Sequence, residues 1–325
     1  MSFEAVLTGD LPDEERLAAA DERAWRDLLA RISRQSVTKH FQAYVDVPWD
    51  DPEYAIDPAD PRFALPETDP LGATAWYRAQ PEAVRARIGL HMIANFLKIG
   101  VQFESTLKRG LLEYTARLPN GSPEFRYLYH ELIEEAQHSL MFQEFVNRSG
   151  LAVDGLPLFA RVFARGLPRI ARRFPELFFV FVLGGEDPID HMQRSELLRG
   201  ARWAHPLVRR ISQIHVIEEA RHLSFARAYL RRNVPRLGFV RRQMLCLRTP
   251  VILGNMARFM MQPSAQIARE YRIPKSALRE AYRGNRVYAK ARCEALGKTR
   301  ALCSELGLIR WPYSAIWSRF GILRS

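Results

Sequence analysis

Residues 133–138 read Ile-Glu-Glu-Ala-Gln-His, and residues 217–222 read Ile-Glu-Glu-Ala-Arg-His. The two hexapeptides agree at five of six positions and lie 84 residues apart. Each contains Glu-x-x-His: Glu135 with His138, and Glu219 with His222. Residues three apart share one face of an α-helix, so a carboxylate and an imidazole at this spacing can meet at one point. A single such pair is common on solvated helix faces. Here each copy also follows a glutamate set in apolar sequence. Glu104, 31 residues before Glu135, ends Ile-Gly-Val-Gln-Phe-Glu; Glu186, 33 before Glu219, follows Leu-Phe-Phe-Val-Phe-Val-Leu-Gly-Gly. A bare carboxylate in such surroundings is costly unless it is paired or metal-bound.

The chain therefore holds Glu…Glu-x-x-His twice, and two copies at nearly equal spacing are hard to obtain by accident. This is the arrangement of ferritin-like di-iron and di-manganese carboxylate bundles, in which two helices each give a Glu and two others each give a Glu-x-x-His. The expected fold is all-α, a ferritin-like bundle with extra helices. The donor types favour a pair of iron ions, with manganese as the other candidate, because carboxylates bridge hard cations and imidazole suits redox-active iron. His215 lies four residues before Glu219 and shares its helix face, so it is expected as a third histidine ligand. Its counterpart in the first half is Glu131. Glu134 and Glu218 precede the ligand glutamates and read either as groups that orient ligand histidines on the facing helix or as ordinary surface charges.

Around this core, helical periodicity covers about 13–44, 82–117, 122–149, 157–173, 176–200, 205–233 and 236–262, with shorter helices over 264–305. Between the first two lies Val45–Gly72, punctuated by Pro48, Pro52, Pro58, Pro61, Pro66 and Pro70 and rich in Asp. Prolines at this density exclude a helix. The segment is expected to wrap the bundle, since too little precedes it to fold alone. A single domain over 1–325 follows: an N-terminal helix and wrapping segment (1–80), a metal-binding core (81–235) and C-terminal helices (236–325). The aromatic stretch 308–325 is expected to pack back on the bundle or on a second subunit.

Composition narrows the function classes. The chain has 325 residues, 47% hydrophobic and 26% charged, which suits a globular core without disulfides. The net charge of +12 comes from arginines scattered over helix faces. No zinc-finger, homeodomain, RRM or KH pattern accompanies them, so nucleic acid is not an expected partner. Three cysteines without Cys-x-x-Cys spacing, Cys246, Cys293 and Cys303, fit a reducing cytoplasm. The N-terminus lacks a signal-peptide pattern, and the longest apolar run, Leu177 to Gly185, is too short to span a bilayer.

The ordered set Glu104, Glu135-x-x-His138, Glu186, His215-x-x-x-Glu219-x-x-His222 resembles the p-aminobenzoate N-oxygenase family. The Val-Pro-Trp-Asp segment at 47–50 looks like that family too, and the likeness spans roughly residues 20–305. The resemblance implies a di-iron oxygenase that uses O2 and an external electron donor to convert an amine, typically an arylamine, to hydroxylamine, nitroso or nitro product. It implies the seven named side chains as the metal ligands. It carries over no substrate-binding residue. The rival readings are C–H hydroxylation or desaturation of a carrier-bound acyl chain, iron storage, and a radical-generating subunit. The last would need a tyrosine beside the metals, with Tyr114, Tyr127 and Tyr129 nearest in sequence. A homodimer is expected on general grounds. The apolar helix with Met256, Phe259, Met260 and Met261 would form either an interface or a cavity wall.

Overall fold

A computed structural model describes residues 13–198, 200 and 204–323; the N-terminal residues read against a signal peptide lie mostly outside that range. The described residues form helices and turns with no strand among them. Helix α1 is Asp13–Thr38, α2 the short Ala75–Arg78, α3 Glu82–Thr115, α4 Pro123–Ser149, α5 Leu158–Ala164, α6 Leu167–Arg173, α7 Pro175–Leu198, α8 Pro206–Asn233 and α9 Phe239–Met261. Five shorter helices follow, α10 Ala265–Glu270, α11 Lys275–Tyr282, α12 Arg286–Ala295, α13 Gly297–Glu305 and α14 Ser314–Arg319. This is the all-α, ferritin-like bundle that the paired motifs imply.

The four long helices α3, α4, α7 and α8 form the bundle. Side-chain contacts fix the antiparallel register of the first pair: Lys98 bonds Gln143, Ser139 bonds Glu104, and Lys108 reaches Ser139 and the carbonyl of Glu135. Local chemistry sets the ends of α4. Pro123 occupies the first turn, and Gly150 takes φ 64° just past the last residue, the left-handed stop that glycine adopts without a Cβ penalty. Ser122 is at the N-cap position, but its hydroxyl bonds the Glu124 carboxylate rather than the helix's free N–H groups. Along α7, the apolar run 177–183 is buried on every side.

Close packing of α7 on α3 depends on Gly185. A Cβ there would lie 2.3 Å from the Phe103 ring, so only glycine admits the ring that precedes Glu104. The helix is continuous through Gly184 and Gly185, and these residues serve packing, not a helix distortion.

The first helix ends earlier than its periodicity suggests, at Thr38 rather than near residue 44. The amide of Phe41 is given to the Glu218 carboxylate and that of Ala43 to the Gln137 side chain, so these N–H groups are lost to the helical ladder. From there the proline-rich segment crosses the bundle. Ala43, Val47, Trp49 and Phe63 pack with Leu90, Leu97, Phe142, Phe145 and Ile211. Its carbonyl at Phe63 sits against Gly89, where a Cβ would lie only 1.8 Å away. At the other end of the chain, Trp317 and Ile322 are fully buried in the main core, which places the C-terminal stretch on its own bundle. Met256 and Met260 are buried as well, so α9 is a wall of the interior. All three cysteines are free and buried. Among the described residues, no helix is long and apolar enough to cross a membrane.

Replacing Gly89 by Ala should push the wrapping segment off α3 and destabilise the chain by about 2 kcal/mol, the usual scale of overpacking. A thermal melt that matches the wild type would show that the segment is not seated on this glycine.

Candidate metal centre

Each bundle helix delivers its site residues from mid-span, where both neighbours cover them. Glu104 comes from α3, Glu135 and His138 from α4, Glu186 from α7, and His215, Glu219 and His222 from α8. All seven are 0% or 1% exposed. They converge. Donor atoms within 4.8 Å of one another form three sets: Glu104 with His138 and His215, Glu135 with Glu219 and His222, and Glu186 with His215 and Glu219. The first two sets have no residue in common, and the third ties them together through His215 and Glu219. That is the topology of two neighbouring cation positions with shared walls.

The imidazoles are oriented from behind. His138 donates from Nε2 to Glu218 at 2.8 Å, and His222 donates from Nε2 to Glu134 at 2.7 Å. Each acceptor belongs to the facing Glu-x-x-His helix, so the two copies of the repeat brace each other. With Nε2 committed to a carboxylate, Nδ1 is the nitrogen left to face the centre. His138 Nδ1 lies 3.6 Å from Glu219, and His222 Nδ1 lies 2.9 Å from Glu219 and 3.1 Å from Glu135. His215 presents Nε2 instead, 3.9 Å from Glu104 and 3.7 Å from Glu219. Of the two readings of Glu134 and Glu218, the orienting one is therefore correct.

Electrostatics shows what this constellation lacks. Burial, together with the neighbouring Glu135 carboxylate, pushes Glu104 up to about 8. Burial and the carboxylates of Glu219 and Glu135 push Glu186 well above the usual range. Burial and positive neighbours hold His215 well below its ordinary value. Burial opposes charge on Glu134 too, but His222 and Arg221 outweigh it and hold the carboxyl down to about 2. Four carboxylates in one dry space cannot all ionise without added positive charge. Nine buried atoms of the seven residues have no hydrogen-bond partner, including both oxygens of Glu135 and Glu186 and both ring nitrogens of His215. Native interiors rarely leave such groups unsatisfied. Cations at the two positions would satisfy them, and the oxygen-rich, histidine-containing donor set fits metal ions.

The model of the family described as p-aminobenzoate N-oxygenase AurF matches residues 22–307. The chain belongs to this family. Among curated proteins it is 41% identical over 298 residues to the uncharacterized proteins MT0908 and Rv0885 of two Mycobacterium tuberculosis strains and Mb0909 of Mycobacterium bovis. Each alignment covers 92% of this chain and 87% of the relative. No solved structure matches the chain at a significant level. Family membership and the clustered donors agree on an oxidoreductase-type fold with a site able to hold metal.

Several supporting residues carry no sequence motif. Arg221 bonds Glu134 at 2.8 Å, lies 3.6 Å from Glu218, and also donates to the Lys39 carbonyl. It stands where the two hexapeptides differ, opposite Gln137, which holds Ala43. Both variant positions thus fasten the 39–43 strip across the orienting glutamates. Lys108 and Ser139 steady Glu104: Ser139 donates to Glu104 Oε2 at 2.6 Å, and the Lys108 ammonium lies 3.8 Å away. Glu131, the counterpart of His215, is buried and raised to about 8 by burial, but it joins none of the donor sets. Of the tyrosines, Tyr127 is fully buried and packs on Phe225, Tyr114 packs on Phe179 and Tyr229, and Tyr129 is 40% exposed.

Glu134→Ala and Glu218→Ala should each weaken metal binding by roughly 10–100-fold, the usual effect of losing an orienting carboxylate, while helix content survives. Competition titration against a chelator measures this. Unchanged affinity in both variants would remove the orienting role.

Proposed function

We propose that the chain is a non-haem di-iron monooxygenase that N-oxygenates an amine, an arylamine being the best candidate. The observation that carries this reading is the convergence of Glu104, Glu135, His138, Glu186, His215, Glu219 and His222 on two linked positions in the dry centre of the bundle. Family membership supports the reaction type. Iron is the proposed metal, and manganese suits the same donors. When bound, a di-iron pair supplies O2 activation and transfer of one oxygen atom to nitrogen. The first oxygenation balances as amine plus O2 plus two electrons and two protons, giving hydroxylamine and water. The electrons come from an external donor.

The protein's own part is positional. Glu134 and Glu218 fix the ring planes of His222 and His138, so the ligand set is preorganised before metal arrives. The bundle core and the proline-rich segment exclude water, which protects the reactive centre from unproductive reduction. The carboxylates of Glu135 and Glu219 each lie within 3.9 Å of both His138 Nδ1 and His222 Nδ1 and are the candidates to span both positions. His215 gives the site a nitrogen donor beyond the common four-carboxylate, two-histidine set.

Anaerobic loading with ferrous iron, followed by O2 and a panel of aryl and alkyl amines, tests the proposal. The expected outcome is amine-dependent O2 uptake with hydroxylamine or nitroso products, lost in His215→Ala together with part of the bound iron. Products oxidised only at carbon, or iron binding and turnover unchanged in that variant, would contradict it.

A further inference from the structure

Residues 158–164, the whole of α5, read Leu-Phe-Ala-Arg-Val-Phe-Ala. Ala160 and Ala164, four apart, pack against the main core. Leu158, Phe159, Val162 and Phe163 fill the opposite face of the helix. Leu158, Phe159 and Phe163 are each 67% exposed and Val162 is 51% exposed. A surface helix of a globular protein normally turns its large apolar residues inward; α5 turns its small ones inward and its large ones out. The segment is nevertheless firmly seated. The amide of Gly155 is given to the Asn95 side chain and that of Leu156 to Gln102, and Leu167 and Ala171 of α6 are buried. The bundle therefore holds four large apolar side chains out into water, and a contiguous exposed apolar patch marks a site of interaction.

The sequence around the patch carries charge of one sign. Residues 155–175 hold five arginines, all exposed, and no acidic residue. α9 lies alongside: Arg241 donates to the Arg173 carbonyl at 2.8 Å, and the Phe259 ring meets Phe159 edge-on with centroids 5.6 Å apart. That helix adds exposed Leu247 and Val251 and three more exposed arginines, Arg241, Arg248 and Arg258, again with no acidic residue. A second copy of the chain is a poor match, because a two-fold contact centred on α5 would set each copy's arginines against the same residues of the other. An anionic bilayer surface is complementary in both respects. Its headgroups meet guanidinium, and its acyl boundary takes apolar side chains that stand out from the fold without needing a shaped socket. Since no helix among the described residues is long and apolar enough to cross a membrane, the contact is peripheral.

We propose that α5 and the arginines beside it dock the protein on an anionic lipid bilayer, the apolar side chains entering the interface and the guanidinium groups meeting lipid phosphates. This surface lies apart from the metal centre, and the inference goes beyond the oxygenase reading without resting on it.

Co-sedimentation of the full chain with vesicles of phosphatidylcholine alone, and of phosphatidylcholine mixed with phosphatidylglycerol, tests it. The chain should bind the vesicles that contain phosphatidylglycerol and leave the neutral ones, and binding should weaken as salt is raised. Arg161→Gln combined with Arg165→Gln should weaken binding about fivefold per charge removed. Leu158→Ser combined with Phe163→Ser should weaken it at least about tenfold. Melting temperature and metal stoichiometry should stay near wild type in both, because these side chains already face solvent. Arg279→Gln combined with Arg283→Gln, two exposed positions at the end of α11, should bind like wild type and so separates the patch from the chain's overall charge. Absence of binding to the anionic vesicles, equal losses in the two arginine pairs, or unchanged binding in the serine variant would overturn the proposal. So would concentration-dependent dimerisation that the serine substitutions abolish while vesicles stay unbound, which would make the patch an interface between copies.

Discussion

Four glutamates and three histidines occupy the driest part of this molecule, and the rest of the structure is arranged around their mutual repulsion. Glu104, Glu135, Glu186 and Glu219 are each fully buried, in a place where one unpaired carboxylate is already expensive. No hydrophobic gain calls for them there, since leucines would pack the same bundle more stably. The arrangement makes sense as a receptacle for positive charge. Metal-ligand attraction would turn the most destabilising cluster of the chain into its tightest cross-link, joining all four long helices.

That demand explains features farther out. Side chains from four helices converge within a few ångströms, so α7 has to approach α3 closely, and Gly185 makes room for the Phe103 ring. His138 and His222 present Nδ1 inward, and Glu218 and Glu134 take up their Nε2. Those glutamates are charges in a buried place in turn. Arg221 lies between them, and the amide of Phe41 donates to Glu218. The 39–43 strip is therefore part of the electrostatic support of the site, and the proline-rich segment that follows continues as its cover. Proline and aspartate suit that task, because a segment that crosses helices cannot satisfy its backbone by a helical ladder and must use local turns.

Much of this was legible in the sequence because helices convert spacing into geometry. Glu-x-x-His places two donors on one face without any tertiary information. Duplication of the motif, with Glu104 and Glu186 set in apolar sequence, implied both the bundle and the seven residues that the structure brings together. His215 was legible for the same reason. What spacing could not reach were contacts between distant segments. Gln137 and Arg221 look like neutral variation within the repeat until the strip at Lys39–Ala43 is seen to end on them. The end of the first helix was misplaced by several residues because its periodicity runs on while tertiary acceptors capture the amides of Phe41 and Ala43.

The central claim is that the seven side chains hold two cations close enough to share a ligand. Reconstituting metal-free protein with manganese(II) and recording its electron paramagnetic resonance spectrum alongside the bound metal content tests this directly. The account predicts two ions per chain with the spectrum of an exchange-coupled pair. A single bound ion, or two ions with independent signals, would contradict it.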